Sequence, residues 1–221
     1  MIRLLLLFFI ISLSFNVNAD QNVTNLAKNS VMKWETKVFS GETKYNVVQH
    51  KGQRALKAQS NASASGLLFK KKIDLQKTPN LSWRWLTEQR LVGLNERSKA
   101  GDDFVARIYV IIDGGMRVWR SKSMNYVWSS NQARGQVWNN AFAGNKVKML
   151  SVRGKDAKMG QWYSEKRNIY KDLIKYFGDK GSQQANLKAY RFIDVVAIMT
   201  DTDNSKRKAE SYFGDVIFSA K

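Results

Sequence analysis

The chain has no cysteine, one proline and one histidine among 221 residues. The missing thiols exclude disulfides, thiolate metal ligands and cysteine nucleophiles. A single histidine, His50, excludes sites built from several imidazoles. A Ser-His-Asp triad would have to use His50, and no Gly-x-Ser-x-Gly elbow accompanies it. His50 ends the strand-like run Tyr45–His50 and reads as a half-exposed strand residue. Acids are also scarce, with 18 Asp and Glu against 37 Lys and Arg, giving a formal charge of +19. No helix-turn-helix, zinc-finger or RNP-like pattern accompanies that charge, so nucleic acid is not the expected partner. A basic exported chain is drawn instead to anionic envelope polysaccharide or lipid headgroups.

What is present begins with a sorting address. Met1-Ile2-Arg3 is followed by an apolar run from Leu4 to Phe15, and Val17-Asn18-Ala19 presents compact residues for cleavage. This is the tripartite secretory pattern. The run falls short of the roughly 20 residues that span a bilayer, so a cleaved signal is expected rather than an anchor. Residues 1–19 are therefore read as a signal peptide and 20–221 as one domain, with no transmembrane segment left after cleavage. The expected location is periplasmic or secreted. Loss of Arg3 leaves a formal charge of +18.

Period-two alternation marks most of the remaining chain. Strands are expected over Arg54–Ser60, Ser65–Leu75, Leu81–Leu86, Phe104–Ile112, Arg117–Trp119, Met124–Trp128, Val147–Val152, Gln161–Glu165, Val195–Thr200 and Tyr212–Phe218. Phe104–Ile112 is apolar on both faces, as suits a central strand. One helix is expected over Asn168–Phe177, where Ile169, Leu173, Ile174 and Phe177 recur at helical spacing and Gly178 stops it. Short strands, glycine turns and one short helix predict an all-β fold, an antiparallel β-sandwich of jelly-roll type.

Chemistry concentrates where acids interrupt the basic background. Asp102 and Asp103 open the Phe104 strand, and Asp201, Asp203 and Asn204 close the Val195 strand. If those strands are antiparallel neighbours, both groups share one rim of the sheet. Carboxylates there could take calcium, with Asp201 and Asp203 as the metal ligands, or bond sugar hydroxyls. They could also simply stabilise turns. The Asp201-x-Asp203-Asn204 order imitates an EF-hand opening but fails as one. Lys206 occupies the glycine position and Tyr212 the closing glutamate position. Arg84, Arg107 and Tyr109 form a second set, expected to line a basic, aromatic strip if their strands lie in one sheet. Asn125, Tyr126 and Trp128 would extend it. Glu165 with Asp103 or Asp201 is the carboxylate pair that a glycoside hydrolase would need.

Several blocks together carry a family likeness. They are Ala62–Leu67, Leu81–Trp85, Lys99–Asp103, Ala106–Val110, Asn125–Trp128, Met199–Asn204 and Tyr212–Asp215. In these the chain resembles the exported bacterial family known as domain of unknown function 3047. The resemblance implies a bacterial origin and an exported location, and it brings no activity. The reading is an exported β-sandwich that binds a carbohydrate or other polar envelope ligand. The alternatives are a hydrolase or lyase on cell-envelope polysaccharide, and a structural envelope protein.

Overall fold

A computed structural model of the chain describes residues 20–116 and 120–220. The signal-peptide expectation and the strand expected over Arg117–Trp119 lie outside the described residues. The chain runs through β1 (Gln21–Asn22), β2 (Glu35–Ser40), β3 (Lys44–His50), β4 (Gln53–Asn61), β5 (Ala64–Asp74), β6 (Asn80–Thr87) and β7 (Ala106–Ile112). It continues through β8 (Lys122–Trp128), β9 (Val137–Asn140), β10 (Gly144–Arg153) and β11 (Tyr163–Asn168). Then come α1 (Ile169–Phe177), α2 (Gln183–Tyr190), β12 (Phe192–Asp201), β13 (Lys208–Phe213) and β14 (Ile217–Ser219).

The strands form two seven-stranded sheets, so the all-β expectation holds. The first runs β1-β14-β6-β13-β4-β3, with β11 on the other side of β6. The second runs β2-β5-β12-β7-β8-β10-β9. Pairing is antiparallel except between β8 and β10, where Val147 faces Ser123 and Leu150 faces Tyr126 in parallel register. The segment expected as one strand over Tyr212–Phe218 divides into β13 and β14 at Gly214-Asp215-Val216.

Alternation explains where the core lies. Leu81, Trp83, Trp85 and Phe213 of the first sheet meet Ile108, Val110, Tyr126, Trp128 and Ile198 of the second in one buried cluster. Trp83 meets Trp85 edge to face at 5.4 Å, and Trp85 meets Trp128 at 5.8 Å. Residues of opposite parity point away from this core. On the second sheet they build a smaller cluster of Phe104, Val127, Trp138 and Met149.

Helix α1 starts where expected. The Asn168 side chain accepts the Lys171 N–H, and Gly178 takes φ 92° after the last turn. A second helix, α2, was not expected, because its residues are polar on most of its circumference. Ser182 caps it by accepting the Ala185 N–H. Tertiary contact explains its presence: buried Tyr190 donates its hydroxyl to the Phe177 and Gly178 carbonyls, closing the end of α1.

The polar segment between β6 and β7 is pinned by Glu96, which is fully buried. Its carboxylate accepts N–H groups of Ser130 and Asn131 and the Ser129 hydroxyl. Gly101 packs against the same segment so tightly that a Cβ there would lie 2.4 Å from the Asn95 carbonyl oxygen. The obstacle is backbone and cannot rotate away. Gly101→Ala is expected to lower stability by about 1–3 kcal/mol, the usual range for forced overpacking. Urea unfolding of the two proteins checks this, and an unchanged midpoint would show that the segment yields freely.

Candidate functional site

The acids of the two distant segments meet. Strand β12 lies antiparallel beside β7, with Met199 opposite Arg107 and Val195 opposite Ile111. The end of β12 therefore adjoins the start of β7. Arg107, Tyr109, Met199 and Asp201 share the parity that points away from the core.

Arg107 and Asp201 form a two-pronged ion pair. The Arg107 Nε donates to Asp201 Oδ1 at 2.8 Å, and Nη2 donates to Oδ2. The same Nη2 also donates to the Asp102 backbone carbonyl. The guanidinium lies 4.3 Å from the centre of the Phe104 ring. Asp201 is 2% exposed and Arg107 3%, so both charges are removed from water. The Phe104 N–H adds a further bond to Asp201 Oδ1 at 3.3 Å.

The neighbouring acids have separate tasks. Asp103 accepts the Asn204 and Ser205 backbone N–H groups at 3.2 and 2.6 Å, and the Asn204 side-chain amide at 3.1 Å. It thereby clasps the turn after β12. Asp102 Oδ2 accepts the Asn140 amide at 2.9 Å, while its buried Oδ1 has no hydrogen-bond partner within the described residues. Oxygens of Asp103, Asp201 and Asp203 lie within 4.8 Å of one another. Those of Asp103 and Asp201, however, already face N–H donors. Calcium takes six to eight oxygen ligands, water among them, and here two of the three carboxylates are already committed to N–H donors, which favours a hydrogen-bonded turn over a cation.

Burial sets the protonation behaviour. Loss of solvent pushes the Asp201 carboxyl up and the charges of Asp102 and Asp103 add to that, while the Arg107 guanidinium bonded to it pulls the other way. Burial likewise raises Asp102. It also raises the Tyr109 phenol, which keeps its proton and donates to Met199 Sδ at 3.4 Å.

These groups floor a hollow of about 350 Å³ on the outer face of the second sheet. Asp102, Arg107, Tyr109, Asp201, Asp203 and Asn204 line it, with Asn125 and Asn140 beside them. Its walls include Phe39 of β2 and Phe142 of the β9–β10 turn, which are 65% and 59% exposed. So much bare ring at a hollow's edge is unusual. Alternation indicates Asn125 but gives no sign of Phe39, Asn140 or Phe142. An aromatic at the tip of Asn139-Asn140-Ala141-Phe142-Ala143-Gly144 was the available signal. Phe39 sits on an edge strand, where alternation carries no burial information.

Arg84 does not join the site. Its strand, β6, belongs to the first sheet and β7 to the second, so the shared-strip premise fails. Arg84 faces outward on the opposite side of the sandwich, 5.7 Å from the Trp162 ring. Tyr126 and Trp128 point into the core. Glu165 lies on β11 of the first sheet, bonded to Arg153 and to the Trp85 indole N–H, so it does not pair with Asp103 or Asp201. His50 stacks on Tyr212 at 3.7 Å and bonds Glu88 at 3.0 Å, and its strand lies in the first sheet rather than with the Asp201 hollow in the second.

A family described as a protein of unknown function (DUF3047) matches residues 32–217. The chain belongs to this family. None of the curated proteins compared with this member matches its sequence. Among solved structures it is similar to the xyloglucanase domain of NopAA, a type three effector from Sinorhizobium fredii. The identity is 13% and the TM-score 0.45, covering 85% of this chain and 93% of that one. It is also similar to endoglucanase Cel12A from Rhodothermus marinus at 9% identity and a TM-score of 0.42, covering 84% and 95%. Likeness this distant carries no argument about this family member.

One outcome follows from the buried pair. Arginine cannot shed its charge in a protein. Asp201→Leu therefore strands Arg107 and is expected to cost about 3–5 kcal/mol, whereas Asp201→Asn, which keeps an acceptor, costs less. Equal unfolding midpoints for the two variants would refute this.

Proposed function

We propose that this chain is an exported binding protein whose outer-face hollow holds a carbohydrate or a similarly hydroxyl-rich envelope ligand. The observation that carries the proposal is the pairing of a polar floor with two bare aromatic walls. The half-buried Asp203 carboxylate and Asn204 side-chain carbonyl, with the unpartnered Asp102 oxygen, suit the hydroxyls of a sugar ring. The Phe39 and Phe142 rings suit its apolar faces, because an exposed ring gains most by covering a matching apolar surface. The Arg107–Asp201 pair holds the floor in place, so little ordering is needed on binding.

Catalysis has less support. Asp201 is held by Arg107 and Asp103 by backbone N–H groups. Of the acids in the hollow, Asp102 alone pairs burial with an unpartnered oxygen. A hydrolase or lyase reading would rest on that one carboxyl.

Calorimetric titration with neutral and anionic oligosaccharides tests the proposal. Binding is expected for at least one class, and Phe39→Ala and Phe142→Ala should each weaken it about three- to tenfold, the equivalent of about 1 kcal/mol of stacking. No heat with any sugar would defeat it. Shortening of a polysaccharide by the wild type, lost in Asp102→Asn, would make the protein an enzyme instead.

A further inference from the structure

A second hollow, of about 440 Å³, lies where α1 and α2 close one end of the sandwich. Arg120, Lys122, Lys146, Lys148 and Lys180 line it, with Tyr176 and Phe177. It is separate from the site above. Strand β10 divides the two, since Val147 lines the first hollow while Lys146 and Lys148 line the second.

Five cations line this one hollow, and no acid is among its lining residues. Some lysines elsewhere do meet acids: Lys51 meets Glu88, Lys57 meets Glu210 and Lys70 meets Glu35. None of the five basic groups of this hollow forms an ion pair among the described residues. The nearby Asp179 forms no ion pair with them among the described residues, and its carboxylate accepts the Gly181 N–H and the Asn186 amide. Lys122 and Lys180 are held over the same ring, with their ammonium nitrogens 5.1 and 5.6 Å from the centre of Tyr190. Burial and the Lys180 charge together make Lys122 easier to deprotonate than usual. Two like charges this close repel, and a bound anion would offset that repulsion.

We propose that this basic hollow is an anion site for a phosphate-type group, with Lys122 and Lys180 as its central pair and Arg120, Lys146 and Lys148 around them. The partner chemistry is a compact, multiply charged oxyanion, which ammonium and guanidinium groups can surround from several sides. The site does not depend on the sugar reading of the first hollow, and either can fail alone.

The test uses the chain from Asp20 onward and pyrophosphate as probe, measured by calorimetry at low salt. The wild type is expected to bind. Lys122→Gln combined with Lys180→Gln should weaken binding at least tenfold, and Lys146→Gln combined with Lys148→Gln should weaken it severalfold. A charge-matched control, Lys28→Gln with Lys155→Gln, should leave it unchanged. Thermal melts confirm that each variant is folded, and the second pair keeps the test valid if the first is not. Vesicles containing phosphatidylglycerol form the other arm. Lysine-dependent vesicle binding that pyrophosphate competes away identifies the source as a lipid headgroup, and pyrophosphate binding alone identifies a soluble anion. Equal weakening by the control pair, or no pyrophosphate binding by the wild type, overturns the proposal.

Discussion

The Arg107–Asp201 ion pair is the constraint around which one end of the second sheet is organised. Placing both charges out of water is costly, and only good geometry offsets it. Here the geometry is a planar fork on a carboxylate, with the Asp102 carbonyl and the Phe104 N–H taking up further bonding capacity. The pair joins residues that are 94 apart in the chain. It sets the register of β7 against β12 at their common end and holds the segment before β7 beneath the turn after β12. Asp103 reinforces this by clasping Asn204 and Ser205. The polar floor of the hollow is thus a consequence of how two strands are fastened.

Strand alternation then distributes the chemistry. Each central strand of the second sheet sends one parity into the apolar core and the other outward. Ile108 and Val110 are fully buried in the core, while Arg107 and Tyr109 line the outer hollow. In β10 the same rule sends Val147 to one hollow and Lys146 and Lys148 to another. Two sites of opposite character, one acid-rich with aromatic walls and one wholly basic, can therefore share a strand without sharing a side chain. The excess positive charge is not uniform either. Some lysines pair with acids, as Lys51 does with Glu88 and Lys57 with Glu210, whereas five cations with no ion pair among the described residues share one hollow where the helices cap the sandwich.

Much of the architecture was legible because period-two alternation is a local property. Strands β4, β5, β6, β8, β10 and β12 follow from it, as does α1 from its Asn168 cap and Gly178 stop. The meeting of Asp102 and Asp103 with Asp201, Asp203 and Asn204 was legible too, since antiparallel neighbours bring the start of one strand beside the end of the other. Helix α2 was not, because its stability comes from Tyr190 docking on α1 rather than from an apolar stripe. Alternation also misplaces Arg84, for a related reason. Alternation tells which residues share a face of one strand and is silent on which strands share a sheet.

The sequence by itself determined the all-β class, the absence of thiol chemistry and the two acidic corners, because composition and short-range periodicity encode them. The tertiary structure alone decided that the acids would be bonded to an arginine and to backbone N–H groups rather than left free. It alone put Phe39 and Phe142 beside them and gathered lysines from β8, β10 and the end of α1 into one hollow. Those facts depend on sheet order and strand crossing. They are set by packing between residues far apart in the chain, and no window of neighbouring residues contains them.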